Sequence, residues 1–285
     1  MSCATSELRG GLLTVPGAVL HYQVRGSGPV LLISQSGEGD AGRTVDLVPH
    51  LVGDFTVVTY DRRGLSRSRL DDPARGATLA EHADDVLRVL AEVTEAPATV
   101  LGCSLGAVIG LRAVLRGPGR IDTLIAHEPV APWLLPPAER ARHKAELVQL
   151  QRLYERAGLA AALPEIARVL GIDPAGPDAE PGLTPQPLDA RRTANFDYFI
   201  RHDFAAVVHD TLDVTALAGL PAVGTRVVPA AGRTTPRDVF DRRCATALAE
   251  LLGTTVREFP GGHNGNTSHP RGWAARIREI AAGAA

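Results

Sequence analysis

The sequence predicts one α/β domain on a mostly parallel, doubly wound sheet, interrupted once by a helical insertion. Three observations point there. Short apolar runs alternate with helix-length amphipathic runs over residues 30–126. The alternation stops after Pro129 and resumes at residue 225. The 285 residues are 45% apolar, enough for one large core.

In order along the chain, residues 12–15 and 18–24 read as two strands joined at Pro16-Gly17. Gly26-Ser27-Gly28-Pro29 then turns the chain into Val30-Leu31-Leu32-Ile33, whose unbroken apolarity suits a strand buried on both faces. A helix is expected over 41–52 and the next buried strand over 55–60. Residues 78–94 form an amphipathic helix, with Leu79, Ala83, Val86, Leu87 and Leu90 on one side. A strand at 98–101, a helix over 107–115 and a strand at 121–126 follow.

The rhythm then changes. Residues 132–220 contain no convincing buried strand. Within them 140–157, 160–170 and 189–210 read as helix, and the Pro/Gly-rich stretch 173–187 reads as a loop. Strand, helix, strand and helix resume at 225–230, 236–252, 254–259 and from about 269. The expected division is therefore a first core segment 1–131, a helical cap 132–220 lying over the strand ends, and a second core segment 221–285.

Composition excludes several classes of function. A net charge of −2 gives no basic field for nucleic acid. No apolar run approaches the roughly 20 residues that cross a bilayer, and residues 1–10 lack the basic start and apolar core of a signal peptide, so a soluble cytoplasmic protein is expected. Cys3, Cys103 and Cys244 have neither metal-ligand nor redox-pair spacing, so no disulfide framework, metal or cofactor is called for. Lys144 is the only lysine; this bias toward arginine, with many Ala, Gly and Pro, reads as high-GC bacterial coding. The sequence carries no reading of oligomeric state.

Ligands of open α/β sheets bind beyond the carboxyl ends of the strands, so polar residues there are the candidates. Gly102-Cys103-Ser104-Leu105-Gly106 stands between a strand and a helix. Small neighbours let so sharp a turn close, the strain projects the Ser104 hydroxyl above the sheet, and the Leu105 N–H opens the helix toward a forming negative charge. Glu128 follows the sixth predicted strand and His263 the last, while Ser36 and Gly37 follow the third. Serine, imidazole and carboxylate on one rim are the parts of acyl transfer: the imidazole takes the serine proton, the carboxylate orients it, and two N–H groups hold the oxyanion. Phe196 and Phe199, with Tyr198 and Phe204, sit on a cap helix where some pack the cap and others line a substrate cavity. Cys103 reads as a small packing residue, and Asp61 to Ser68 as a loop tied by charge-assisted hydrogen bonds rather than part of the site.

These features make the chain resemble the α/β-hydrolase superfamily. The resemblance spans nearly the whole chain outside the cap and rests on Gly102–Gly106, on Asp61-Arg62-Arg63-Gly64-Leu65-Ser66-Arg67-Ser68, and on Gly261-Gly262-His263, in the family's order. It implies about eight strands and a helical cap, with Ser104 as nucleophile, His263 as base, and Gly37 and Leu105 as oxyanion donors. Three departures stand out. Gln35-Ser36 replaces a common His-Gly, and Leu65 replaces a common glycine. The loop after the seventh strand, residues 231–236, holds no carboxylate. A minority of members place the acid after the sixth strand, where Glu128 stands 24 residues beyond Ser104; Asp238 is the alternative.

The leading expectation is a serine-dependent hydrolase (esterase, lactonase or thioesterase) acting through an acyl-enzyme on a small, largely apolar carbonyl compound. The alternatives are lyase, cyclase or carbon–carbon cleavage chemistry on the same scaffold, or a non-catalytic ligand-binding protein.

Overall fold

A computed structural model describes residues 8–173 and 178–283. Cys3 and part of the predicted Pro/Gly-rich loop lie outside the described residues. The first strands are β1 (Arg9–Val15), β2 (Ala18–Gly26), β3 (Val30–Ser34), β4 (Thr56–Tyr60) and the two-residue β5 (Arg69–Leu70). After them come α1 (Leu79–Val93), β6 (Ala98–Cys103), α2 (Leu105–Arg116) and β7 (Ile121–His127). The inserted helices are α3 (Pro137–Ala157), α4 (Leu159–Val169), α5 (Ala190–Tyr198), α6 (Phe204–His209) and α7 (Val214–Ala218). The chain closes with β8 (Arg226–Gly232), α8 (Phe240–Leu251), β9 (Arg257–Phe259), α9 (Gly265–Ser268) and α10 (Pro270–Ala281).

The nine strands form one sheet in the order β1-β2-β4-β3-β6-β7-β8-β9, with β5 paired to β2. Pairs involving β1, β2 and β5 are antiparallel; all others are parallel. Every residue of β3 and β6 is buried, as their unbroken apolarity requires for strands covered on both faces. One face packs against α1, α2 and α8, and the other against α10 and the turns around Leu47 and Leu51. α1 matches its sequence pattern because Thr78 and Glu81 close a reciprocal capping box at its start.

Three predicted elements differ. The helix expected over 41–52 is instead two short 3₁₀ turns, Ala41–Thr44 and Val48–His50. Pro49 lacks an N–H and crowds the residue before it, which prevents a continuous α-helix there. The expected helix 189–210 is broken by a π-turn at Phe199–Asp203 between α5 and α6. α8 starts at Phe240 rather than 236, which leaves Asp238 exposed in the turn before it.

The insertion between β7 and β8 reaches back over the ends of β3 and β4. The Phe199 ring lies directly on Gly37, Arg192 of α5 pairs with Glu38 at 2.6 Å, and Asp203 pairs with Arg62 at 2.7 Å. Among the described residues, no helix is long and apolar enough to cross a membrane.

Candidate active site

Ser104 sits between β6 and α2 with φ 55° and ψ −115°. Among the described residues only Ser66, Ser104 and Glu128 are non-glycine residues at positive φ. Such left-handed backbone costs on the order of 1–3 kcal/mol and persists only where the surroundings impose it. Here the imposition is steric. A Cβ at Gly106 would stand 2.0 Å from the Ser34 carbonyl oxygen, and one at Gly102 2.6 Å from the Ala107 Cα. The helix thus meets the sheet so closely that both flanks of Ser104 must be glycine.

Glu128 makes the same kind of turn one strand over. Parallel pairing sets Cys103 opposite His127, so Ser104 and Glu128 leave the sheet at one level. The Ser104 N–H donates to the His127 carbonyl at 2.8 Å, and the Glu128 N–H donates to that of Ala230 at 2.9 Å. The Glu128 side chain is fully buried. Its Oε1 accepts from the Gly232 N–H at 2.8 Å and its Oε2 pairs with His263 Nδ1 at 2.7 Å.

Asp241, on the first turn of α8, contacts the same Nδ1. Its position relative to the ring is off the hydrogen-bonding direction, and neither of its buried oxygens has a hydrogen-bond partner. One atom each from Glu128, Asp241 and His263 lie within 4.8 Å of one another. Burial alone would lower the His263 pKa, but the Asp241 and Glu128 carboxylates reverse this and raise it to about 10. Burial, together with the charge of Glu128, raises Asp241 to about 6 against the pull of His263. Glu128 goes the other way: burial opposes ionisation, but His127 and His263 bring it down to about 2. His127 is itself pushed down to about 4 by burial. The three groups titrate as one unit.

Ser104 and His263 both line a cavity of about 470 Å³, together with Ser36 and Gly37 of the loop after β3. Its far wall is apolar, from Leu163, Ile166 and Ala167 of α4 with Phe196 and Phe199. Glu38, Arg43 and Arg192 form its polar edge. Of the residues the sequence singles out, Ser36, Gly37, Ser104, Phe196, Phe199 and His263 therefore meet at one cavity. Glu128 stands behind His263, and Leu105 is the first residue of α2, directly after Ser104.

Asp238 stands exposed in the turn before α8, whereas Asp241 on the helix touches His263. The sequence does carry a signal for Asp241. It shares an i, i+3, i+4, i+7 stripe with Cys244, Ala245 and Leu248, so an acid stands where the helix is buried. Gln35 is turned away from the cavity, bonded to Thr44 at 3.0 Å and to Asn266 at 3.4 Å. In the Asp61–Ser68 turn the left-handed non-glycine residue is Ser66, φ 51°, while Leu65 is buried in contact with the Gly39 region. The position needing a glycine-like backbone is thus 66 rather than 65.

Comparison with known proteins agrees with this architecture. The family model for the alpha/beta hydrolase fold matches residues 29–149. The uncharacterized hydrolase YraK of Bacillus subtilis is 37% identical over 273 residues, which is 96% of each chain. The chain belongs to the α/β-hydrolase superfamily. Within it, the zearalenone hydrolase of Cladophialophora bantiana is 27% identical over 283 residues, 97% of each chain. A hydrolase of Pseudomonas aeruginosa has the same fold at a TM-score of 0.71 and 22% identity, covering 95% of this chain and 98% of its own.

Proposed function

We propose that this α/β-hydrolase is a serine-dependent hydrolase acting on a small, largely apolar ester, lactone or thioester through an acyl-enzyme. One observation carries the reading. Ser104 and His263 open onto the same cavity, while the other face of the imidazole is held by a buried carboxylate at 2.7 Å.

With Nδ1 engaged by Glu128, Nε2 is the nitrogen left to take the Ser104 proton as the hydroxyl attacks the carbonyl carbon. The resulting imidazolium is stabilised by Glu128 and returns its proton to the leaving group. Water then repeats the sequence on the acyl-enzyme. The N–H groups of Gly37 and Leu105 receive the oxyanion; losing one such donor typically costs about 10²–10³ in turnover. The helical insertion serves as the cap, its α4 and α5 side chains forming the apolar wall that selects a small apolar acyl or alkyl group. The curated relatives named as hydrolases support the reaction class.

A panel of p-nitrophenyl esters, simple lactones and acyl thioesters, assayed with wild type and Ser104→Ala, tests this. Turnover of at least one class that vanishes in Ser104→Ala, with fluorophosphonate labelling lost in parallel, is the expected result. Activity indifferent to the substitution refutes it.

A further inference from the structure

Arg62 lies in the run read from sequence as purely structural, and its side chain is 1% exposed. Its guanidinium donates to the carbonyls of Ser36 at 2.6 Å, Gly37 at 2.8 Å and Gln35 at 3.3 Å. Three successive peptide units of the loop after β3 are thus fastened by one cation. A trans peptide is planar, so its carbonyl and its N–H point in opposite directions. Holding the Ser36 carbonyl therefore aims the N–H of Gly37, which belongs to the same peptide unit.

A further partner of Arg62 comes from the insertion. Asp203, fully buried in the π-turn, accepts from the guanidinium at 2.7 Å. Its other oxygen lies 3.4 Å from His82 of α1, outside hydrogen-bonding geometry. Two more ties join the same loop to the same stretch of insertion. The Phe199 ring sits so tightly on Gly37 that a Cβ there would lie 2.4 Å from it. Arg192 grips Glu38 with two parallel bonds of 2.6 and 2.8 Å. A buried cation that loses its carboxylate is strongly disfavoured, and it would move toward water and carry its three carbonyls with it.

We infer that Arg62 and Asp203 are positioning residues for the oxyanion loop, so that the Gly37 N–H is aimed only while the helical insertion is docked. This rests on the serine mechanism proposed above. Docking then does two things at once: it completes the apolar wall and it sets the donor that stabilises the transition state. A cap that opens to admit substrate also switches off catalysis until it closes again.

The test uses p-nitrophenyl acetate, whose acyl group is too short to depend on the apolar wall. Asp203→Asn is expected to lower kcat, and the rate of fluorophosphonate labelling of Ser104, by about tenfold or more, with KM within about threefold of wild type. Arg192→Gln, which removes both bonds to Glu38 but leaves it paired with Arg43, is expected to act in the same sense and less strongly. Circular dichroism reports whether Asp203→Asn folds; if it does not, Arg192→Gln and Phe199→Leu decide. An unchanged kcat, or a loss confined to KM, overturns the inference, because the residues would then merely shape the cavity. Wild type without Ser104-dependent turnover removes the serine mechanism and this inference together. Wild-type turnover with insensitive variants removes only the inference.

Discussion

The rim of the sheet and the inserted helices build the two halves of one cavity by different physical means. At the rim, position is enforced by backbone. Ser104 and Glu128 sit in left-handed conformations, joined across neighbouring strands by main-chain bonds of 2.8 and 2.9 Å. In the insertion, position depends on side chains: aliphatic groups of α4, two phenylalanines, and ion pairs such as Arg192–Glu38. Backbone sterics leave little freedom, whereas side-chain packing accepts many solutions of similar volume. Under the function proposed above, the reaction falls to the rim and the choice of substrate to the helices.

The largest test of that contrast is at the rim. Ser104→Ala is expected to lower kcat by about 10⁴-fold or more while leaving the thermal midpoint at or above wild type, since the change removes only a hydroxyl. A loss of stability matching the loss of activity would deny the division of labour.

Next come the two acids on His263. Glu128→Gln is expected to cost about 10²-fold or more in kcat, and Asp241→Asn less, because only Glu128 has hydrogen-bonding geometry to Nδ1. Their pH signatures sharpen the distinction. The two carboxylates raise the His263 pKa, so on the proposed mechanism turnover is expected to climb along an alkaline limb. Removing either charge lowers that pKa, so the limb of Asp241→Asn is expected at lower pH than wild type in a kcat/KM profile. A limb that stays in place, or moves upward, means Asp241 does not act on the histidine.

In the insertion the expected effects are smaller and selective. Leu163→Ala or Phe196→Ala is expected to shift preference between short and long acyl chains by about tenfold in relative kcat/KM, with the best substrate still turned over. A uniform loss across chain lengths would place these side chains in the reaction rather than the selection. Smallest of all is the Arg243–Glu139 pair, which ties α8 to α3 at the surface. Arg243→Gln is expected to cost under about 1 kcal/mol in chemical denaturation.

Legibility in the sequence follows the same divide. Buried parallel strands announce themselves as unbroken apolar runs, and a serine flanked by glycines between strand and helix marks a sharp, strained turn. Hence Ser104, Glu128 and His263 are readable as strand-end residues, and α1 as a helix with one apolar side. The stretch 41–52 misleads because its apolar spacing suits a helix while Pro49 breaks it. Arg62 escapes a reading of the chain because Asp203 is distant in it, and Asp241 shows there only as an acid on a buried helix stripe, without its partner. A buried charge is intelligible only when its counter-charge is known, and His263 and Asp203 come from elsewhere. The π-turn at Phe199–Asp203 leaves no mark in composition, since it is set by what Phe199 and Asp203 pack against.

The left-handed backbone at residue 104 has a consequence for durability. Glycine adopts that conformation freely, and the serine side chain fills no void whose loss would weaken the core. On the proposed serine mechanism, the chain would be sturdier with glycine there, and inert. If Ser104 is the nucleophile proposed above, position 104 is a place where selection for robustness alone would erase the protein's chemistry, and where random stabilising screens should be expected to return dead variants.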